Sequence, residues 1–198
     1  MLKFKEFLLE SGSTNVPLIV VDMQPAYNSY CTKILNNPKF VDLLRTQKRI
    51  LWFFNGEDLG MDSQNDVVDW LIENDIDEDI INKIEFKEKV YGYFRSWMDS
   101  GVSDRVILKV IRLLVMNHEN DVRDLDIDLL QQELGDDFDE IENLIDDAIY
   151  LPDIAIKELR SYSGAYIVGG SKSECLREIE LLMNAFNIRY KEIKEFIY

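Results

Sequence analysis

Three short runs of apolar residues, each followed closely by turn residues, constrain the fold of this chain most. They cover residues 16–21, 50–54 and 165–168. Runs of this length that are apolar at nearly every position are typical of strands buried on both faces of a parallel sheet. A shorter third strand is indicated at residues 84–86, and residues 188–198 are expected to return to the sheet.

Apolar residues at helical spacing fill the segments between these strands. Such patterns cover residues 3–10, 38–44, 67–71, 91–101, 106–116, 125–134, 138–145, 152–160 and 175–186. Residues 106–116 also permit a strand, although their apolar side chains share one face of a helix. The alternation predicts an α/β fold in three layers, α-β-α, with a mainly parallel sheet and helices on both of its faces.

The length of 198 residues fits one compact domain over residues 1–198. The start of the sequence lacks the apolar stretch and cleavage site of a signal peptide. No apolar run approaches the roughly 20 residues of a membrane helix. Two cysteines are too few for a disulfide framework. We therefore expect a cytoplasmic protein that does not contact a membrane.

The acidic residues are concentrated in two segments of a chain whose net charge is −16. Residues 56–80 hold ten Asp or Glu and no Lys or Arg, and residues 119–153 hold fourteen with Arg123 as the one basic residue. Direct nucleic-acid binding is disfavoured, because it needs basic residues against the phosphates. The simplest interpretation of both segments is a solvated helix face or loop. The alternative is a docking surface for a basic protein partner.

Cys175 is the leading candidate for a nucleophile. It follows Ser171-Lys172-Ser173-Glu174, whose spacing matches a capping box and predicts a helix that begins near residues 171–173. A thiol in the first turn of a helix faces the positive end of the helix dipole and unpaired N–H groups. Both favour the thiolate, and the N–H groups can also hold an oxyanion. A structural cysteine in a strand-to-helix turn is the alternative.

Two further charged groups are expected at the same edge of the sheet as Cys175. Asp22 follows the first apolar run, and Lys87 follows the third, with Lys89 two residues further on. Ligands bind at the carboxyl ends of the strands in parallel sheets, so these side chains are candidates for one catalytic site. A lysine beside a thiol lowers the thiol pKa and can bind a substrate carboxylate. The structural alternatives are a turn residue for Asp22 and surface positions for the lysines.

Other residues near these strand ends are candidates for binding a substrate. Gly169 and Gly170 let the main chain approach a ligand closely, and Ser171 follows them. Gln24 lies two residues after Asp22, where it either hydrogen-bonds a neighbour or faces solvent. We take Gln24, Lys89, Gly170 and Ser171 as the substrate-binding candidates.

The sequence indicates no metal site and no cofactor. The single histidine, His118, lies in a polar segment, and zinc-type Cys/His spacing is absent. Asp58 and Asp62 could attract a divalent cation, but they lack the spacing of an EF-hand. The glycines form neither a Walker loop nor a dinucleotide fingerprint.

Taken together, these motifs resemble those of the isochorismatase-like cysteine hydrolases, a family that includes nicotinamidases and carbamoyl-amide hydrolases. The family's apolar-Asp-x-Gln pattern is matched by Val20-Val21-Asp22-Met23-Gln24. Its lysine ahead of small and aromatic residues is similar to Lys87 before Tyr91-Gly92-Tyr93-Phe94. Its glycine six residues before a helix-starting cysteine is matched by Gly169 and Cys175. The resemblance covers residues 15–95 and 150–198.

The resemblance implies a Rossmann-like sheet of six parallel strands and an Asp-Lys-Cys triad that hydrolyses a small amide or imide C–N bond. Asp22 would take the thiol proton, Lys87 would orient and polarise, and Cys175 would attack the carbon. N–H groups near Ser171 and Cys175 would hold the oxyanion, and water would then hydrolyse the thioester.

The chain departs from the family pattern in four respects, the first of which is that Lys89 competes with Lys87 for the triad position. Leu176, Ile179 and Glu180 follow the cysteine where the family has small residues, and the metal-binding histidines of nicotinamidases have no counterpart. Residues 96–150 form an acidic helical insertion within the domain. The alternative function is therefore a non-catalytic binding protein of the same fold, for instance a viral or mobile-element accessory protein. It would use the insertion to contact a basic protein or a second copy of itself.

Overall fold

The computed structural model describes residues 16–56, 61–89, 94–146 and 153–198. These residues form two compact units. The first contains the described residues of Met1–Val90, Tyr162–Leu176 and Arg189–Tyr198, and the second those of Tyr91–Ser161 and Arg177–Ile188. The helix expected at residues 3–10 lies outside the described residues.

A parallel β-sheet is the centre of the first unit. Its five described strands are β1 (Leu18–Val21), β2 (Ile50–Asn55), β3 (Ile84–Lys89), β4 (Ala165–Gly169) and β5 (Tyr190–Glu192). They lie in the order β3-β2-β1-β4-β5, and every neighbouring pair is parallel. The predicted α/β fold with a parallel sheet is confirmed.

Strand β1 occupies the middle of the sheet, as its apolar sequence requires. All four of its residues are fully buried. Val21 lies level with Phe53 of β2 on one side and with Gly169 of β4 on the other. The residues that follow β1 and β4 therefore meet at one carboxyl edge, which is where ligands bind in sheets of this kind.

Four helices and the sheet form one apolar core in the first unit. The helices are α1 (Asn28–Leu35), α2 (Pro38–Thr46), α3 (Gln64–Glu73) and α4 (Glu78–Ile81). Their apolar side chains cluster with the even-numbered residues of β1 and β2, because alternate side chains of a strand point to the same face. Asn37 caps α2, and a capping box of Ser63 and Asp66 starts α3.

Strand β3 extends three residues beyond the end that the sequence indicated. The expected end at residue 86 is wrong because the charged residues that follow continue to pair with β2, as far as Lys89 opposite Asn55. Charged side chains are compatible with this strand because it lies at the edge of the described sheet and is only partly buried.

The second unit is helical in its described residues. It contains α5 (Arg95–Asp99), α6 (Asp104–Asn117), α7 (Ile127–Leu134), α8 (Asp153–Ser161) and most of α9 (Cys175–Ala185). Residues 106–116 are helical, and the strand alternative is wrong. The exposed His118 ends α6 in the left-handed conformation, with a φ of 60°. Among the described helices, none is long and apolar enough to cross a membrane.

The helix expected at residues 138–145 is not formed. A 3-10 helix covers Gly135–Glu140, and turns follow it up to residue 146. Acidic residues in this stretch recur three and four positions apart, where they would repel one another on an α-helix. Phe138 and Ile141 are buried, so the segment packs through its apolar residues without being an α-helix.

Candidate active site

Asp22 lies at the carboxyl end of β1 and is fully buried. Its φ of 49° is in the left-handed region, which turns the chain sharply out of the sheet and which Asp tolerates better than most residues. Its Oδ2 accepts a hydrogen bond from Nζ of Lys89 at 2.6 Å, and the lysine side chain is 3% exposed. An ion pair without solvent contact therefore sits at the edge of the sheet.

Lys89, not Lys87, is the lysine that reaches Asp22. Lys87 lies level with Phe53 and hence with Val21, inside the sheet, whereas Lys89 lies two residues further towards the carboxyl edge. The Lys87 side chain is 34% exposed, with its Nζ 4.0 Å from Oε1 of Glu85. The sequence placed Lys87 at the edge because it ended β3 too early, so the expected contact of Lys87 with Asp22 is corrected to Lys89.

The second carboxylate oxygen of Asp22 has a different environment. Oδ1 is buried and has no hydrogen-bond partner among the described residues. An unsatisfied buried acceptor costs about 1–3 kcal/mol, more when it is charged, so native structures rarely retain one without a reason. Lys89 holds Asp22 by one oxygen and leaves the other available as an acceptor.

Cys175 is the first residue of α9 and is partly exposed, so it is not enclosed by the apolar residues that follow it. Leu176 and Ile179 are both fully buried. A thiol at the start of a helix of eleven residues lies at the positive end of the helix dipole. The expected position of Cys175 in the first turn is confirmed.

Gly169 and Gly170 form the tight turn between β4 and the segment that leads to Cys175. Their φ angles are 76° and 66°, which other residues rarely adopt. A Cβ on Gly169 would lie 2.5 Å from the main-chain oxygen of Val21, and one on Gly170 would lie 3.1 Å from the Leu176 nitrogen. Both glycines are therefore needed for packing against β1 and α9, whether or not a ligand approaches them.

Main-chain hydrogen bonds fix the segment between this turn and α9. The Ser171 carbonyl accepts bonds from the nitrogens of Glu174 and Leu176, both at 3.1 Å. The Lys172 nitrogen donates to the main-chain oxygen of Tyr198 at 3.2 Å. The helix begins at Cys175 rather than at residues 171–173, because a turn on the Ser171 carbonyl precedes it. These three N–H groups are occupied, so an oxyanion would need others.

Tyr27 links the two parts of the site electrostatically. Burial raises the pKa of its hydroxyl, and negative charge on Asp22 and on Cys175 raises it further. The Tyr27 oxygen accepts a hydrogen bond from Nδ2 of Asn55 at 3.1 Å. Charge on the Asp22 carboxylate and charge on the Cys175 sulfur therefore both affect the pKa of the same phenol. Tyr27 was not among the predicted site residues, although it lies only three residues after Gln24.

Gln24 connects two segments of the site, and both hydrogens of its side-chain amide are already donated within the protein. It is fully buried, and its Nε2 donates to the Asn55 carbonyl at 3.0 Å and to Oδ2 of Asp62 at 2.7 Å. Its Oε1 accepts from the Asn55 nitrogen at 2.7 Å. Both amide hydrogens are used, so the expected substrate-binding role of Gln24 does not agree with its contacts. It ties the turn after β1 to the end of β2.

Cys31 and Tyr198 pack beneath Asp22. The Cys31 thiol lies 3.9 Å from the Asp22 carbonyl oxygen, and the Tyr198 hydroxyl donates to that same oxygen at 2.8 Å. Burial raises the pKa of Cys31 to about 11, which makes it a poor nucleophile near neutral pH. The two cysteines therefore lie in different environments.

Asp62 has a structural contact rather than a metal-binding one. Its Oδ2 accepts from Gln24 and, at 2.9 Å, from the Ala26 nitrogen, whereas Asp58 lies outside the described residues. Within the part of the chain that the structure describes, no three His, Cys, Asp or Glu side chains come together in a way that could hold a metal ion.

Comparison with known proteins gives no relative for this chain: no family model, no curated protein and no solved structure matches it. We therefore infer the function from the residues and their contacts.

Proposed function

We propose that this protein is a cysteine hydrolase of the isochorismatase-like type, with the three-layer fold of that family, which cleaves a small amide or imide C–N bond. Its catalytic residues are Asp22, Lys89 and Cys175. Lys89 replaces Lys87 in the triad because Lys89 is the lysine paired with Asp22. Ser171 is retained as a residue near the oxyanion.

The buried pair of Asp22 and Lys89 is the observation that carries this proposal. Removing two charges from water costs several kcal/mol per ion, and an apolar pair of similar volume often gives equal or greater stability. A purely structural role therefore explains the pair poorly. An acceptor oxygen without a partner, at the strand edge where a partly exposed thiol begins a helix, matches what a cysteine nucleophile needs from its base.

The proposed reaction assigns a step to each of these groups. Oδ1 of Asp22 takes the proton of the Cys175 thiol, and the thiolate attacks the carbonyl carbon of the substrate to form a C–S bond. The C–N bond breaks as the tetrahedral intermediate collapses, and Asp22 returns the proton to the leaving nitrogen. Water then attacks the thioester with Asp22 as base, which releases the acid and restores the thiol. Lys89 holds Asp22 in place through the ion pair.

The decisive experiment is the capture of the thioester. The purified protein is incubated with a panel of small primary amides and imides, quenched in acid and analysed by peptide mass spectrometry. We expect an acyl adduct on Cys175, with release of ammonia where the substrate is a primary amide, and both signals should be absent in C175A. The matched control is C31A, which should retain both signals.

The reactivity of the thiol itself provides a test that needs no substrate. We expect iodoacetamide to alkylate Cys175 much faster than Cys31 at neutral pH, with an apparent pKa for Cys175 below that of Cys31. Equal and slow labelling of the two cysteines would reject the proposal.

A second candidate function, binding of a basic protein through the acidic segment, is supported by exposure in the second unit. Acidic residues of α7 and of the segment after it point to solvent: Asp128, Glu133, Asp136, Asp139 and Glu142. Such a face attracts Lys- and Arg-rich partners at long range. This function would not require Cys175.

A further inference from the structure

Tyr198 contacts the turn that holds Asp22 and the segment that leads to Cys175, and it has no step in the proposed mechanism. It follows β5 and the 3-10 helix Lys194–Phe196. Its side chain reaches the turn after β1, and its main chain lies against the segment that leads to Cys175. Tyr198 therefore touches both segments.

The side chain of Tyr198 holds the main chain of Asp22. The Tyr198 hydroxyl donates to the Asp22 carbonyl oxygen at 2.8 Å, and the Cys31 thiol, a weaker donor, lies 3.9 Å from the same oxygen. Asp22 has a φ of 49°, so its peptide needs support from its surroundings. Burial, together with nearby negative charge, raises the pKa of Tyr198, which keeps the phenol protonated as a donor.

The main chain of Tyr198 holds the segment before Cys175. Its nitrogen donates to the Gly170 carbonyl at 3.2 Å, and its main-chain oxygen accepts from the Lys172 nitrogen at 3.2 Å. The ring of Tyr198 stacks on Tyr30, with centroids 5.5 Å apart and planes 15° apart. The phenol is therefore fixed in direction by the stack while the two main-chain bonds fix the loop.

We propose that Tyr198 is a positioning residue that sets the distance between the Asp22 carboxylate and the Cys175 thiol. This inference rests on the proposed function, because it assigns Tyr198 a role in the same site. Proton transfer from thiol to carboxylate requires the two groups to be within hydrogen-bond reach. They belong to segments that are far apart in sequence, and Tyr198 hydrogen-bonds to both.

The test compares Y198F with Y30F. Y198F removes the hydroxyl bond to Asp22, together with the hydroxyl's interaction with the Cys31 thiol, and retains the ring. Y30F retains the stack and removes a hydroxyl of an exposed residue. The rate of alkylation of Cys175 by iodoacetamide is measured from pH 5 to pH 10 for both variants and the wild type. We expect Y198F to shift the midpoint of the profile to lower pH, because an Asp22 carboxylate that moves away from the thiol opposes the thiolate less, and a shift of one pH unit changes the thiolate fraction about tenfold. Y30F should match the wild type.

A stronger hydrogen-bond donor at position 31 should partly restore the wild-type profile if Y198F acts through its lost bond to Asp22, but not if Y198F only destabilises the protein. C31S places a hydroxyl, a stronger donor than the thiol, next to the same carbonyl oxygen. We expect C31S/Y198F to return the midpoint part of the way to the wild-type value, and this double variant replaces Y198F if the single variant does not fold, as judged by circular dichroism.

The outcomes separate the two proposals. A fast Cys175 in the wild type together with an unchanged pH profile in Y198F overturns the role of Tyr198 and leaves the hydrolase proposal standing. A slow Cys175 in the wild type rejects the hydrolase proposal, whatever Y198F does. An unfolded Y198F with a C31S/Y198F double variant that folds but labels as fast as the wild type also overturns the positioning role.

Discussion

Nζ of Lys89 lies 2.6 Å from Oδ2 of Asp22, and this ion pair joins the end of β3 to the end of β1. Neither side chain has appreciable solvent contact, and the other carboxylate oxygen of Asp22 has no partner among the described residues. The pair is therefore asymmetric: one oxygen is neutralised by the ammonium, and the other remains an acceptor at the sheet edge.

Replacement of Lys89 by methionine should destabilise the protein strongly. Removing one partner of a buried ion pair leaves an uncompensated charge and typically costs about 3–5 kcal/mol. The measurement is the free energy of unfolding in urea. The matched control is K87M, two residues earlier on the same strand, where a half-exposed lysine should change stability by no more than about 0.5 kcal/mol. Equal effects of the two variants would contradict the assignment of Lys89.

Replacement of Asp22 by asparagine should remove the base while keeping the shape of the side chain. We expect any amide hydrolysis to fall by about a hundredfold or more, the usual contribution of a general base. In a double-mutant cycle, D22N/K89M should be destabilised by less than the sum of the two single variants, since neither charge is then left alone. Additive losses would indicate that the residues act independently.

The pH dependence of Cys31 labelling follows from its burial. With a pKa of about 11, this thiol is protonated at neutral pH, so its alkylation rate should rise continuously with pH and level off only near pH 11. C175A isolates Cys31 for this measurement by mass spectrometry. A plateau below about pH 9 would show that Cys31 is more exposed than its position in the core allows.

Alanine at Gly164, just before β4, and at Gly169, the last residue of β4, should have unequal effects. Gly169 cannot accept a Cβ at 2.5 Å from the Val21 oxygen without moving β1 or β4, so G169A should cost more than the about 1–2 kcal/mol of a left-handed residue. Gly164 has a similar φ of 88° but nothing within 4 Å of its Cβ position, so G164A supplies the cost of the backbone conformation alone. Thermal unfolding of both variants measures the difference, and equal melting temperatures would exclude the close contact.

Charge reversal on α7 tests the binding function. In D128K/E133K, two exposed acidic residues become basic, so the affinity for a Lys- and Arg-rich peptide should fall, with a weaker salt dependence. Fluorescence anisotropy of the labelled peptide measures this. C175A serves as the control and should bind like the wild type. If no peptide binding is detected at low salt even in the wild type, the acidic segment is only a solvated face.

The sequence predicts the main elements of the sheet well, because β1, β2 and β4 are apolar runs with clear ends. The sequence predicts less well which lysine pairs with Asp22. The charged residues 87–89 look like a loop, and only the pairing of β3 with β2 shows that they continue the strand. Similarly, Gln24 could be placed near Asp22, but its bonds to Asn55 and Asp62 depend on how distant segments fold together. No local pattern marks Tyr198, whose contacts all come from tertiary structure.

The central position of β1 has a consequence for how the chain reaches its native state. Leu18 pairs with Ile50 on one side, but its partner on the other side is Tyr166, which is synthesised only after helices α5 to α8. Until β4 arrives, one edge of a wholly apolar strand is open to any other extended chain, a situation that promotes aggregation. Refolding yield should therefore fall steeply as protein concentration rises, and a yield independent of concentration would argue that β1 is protected earlier.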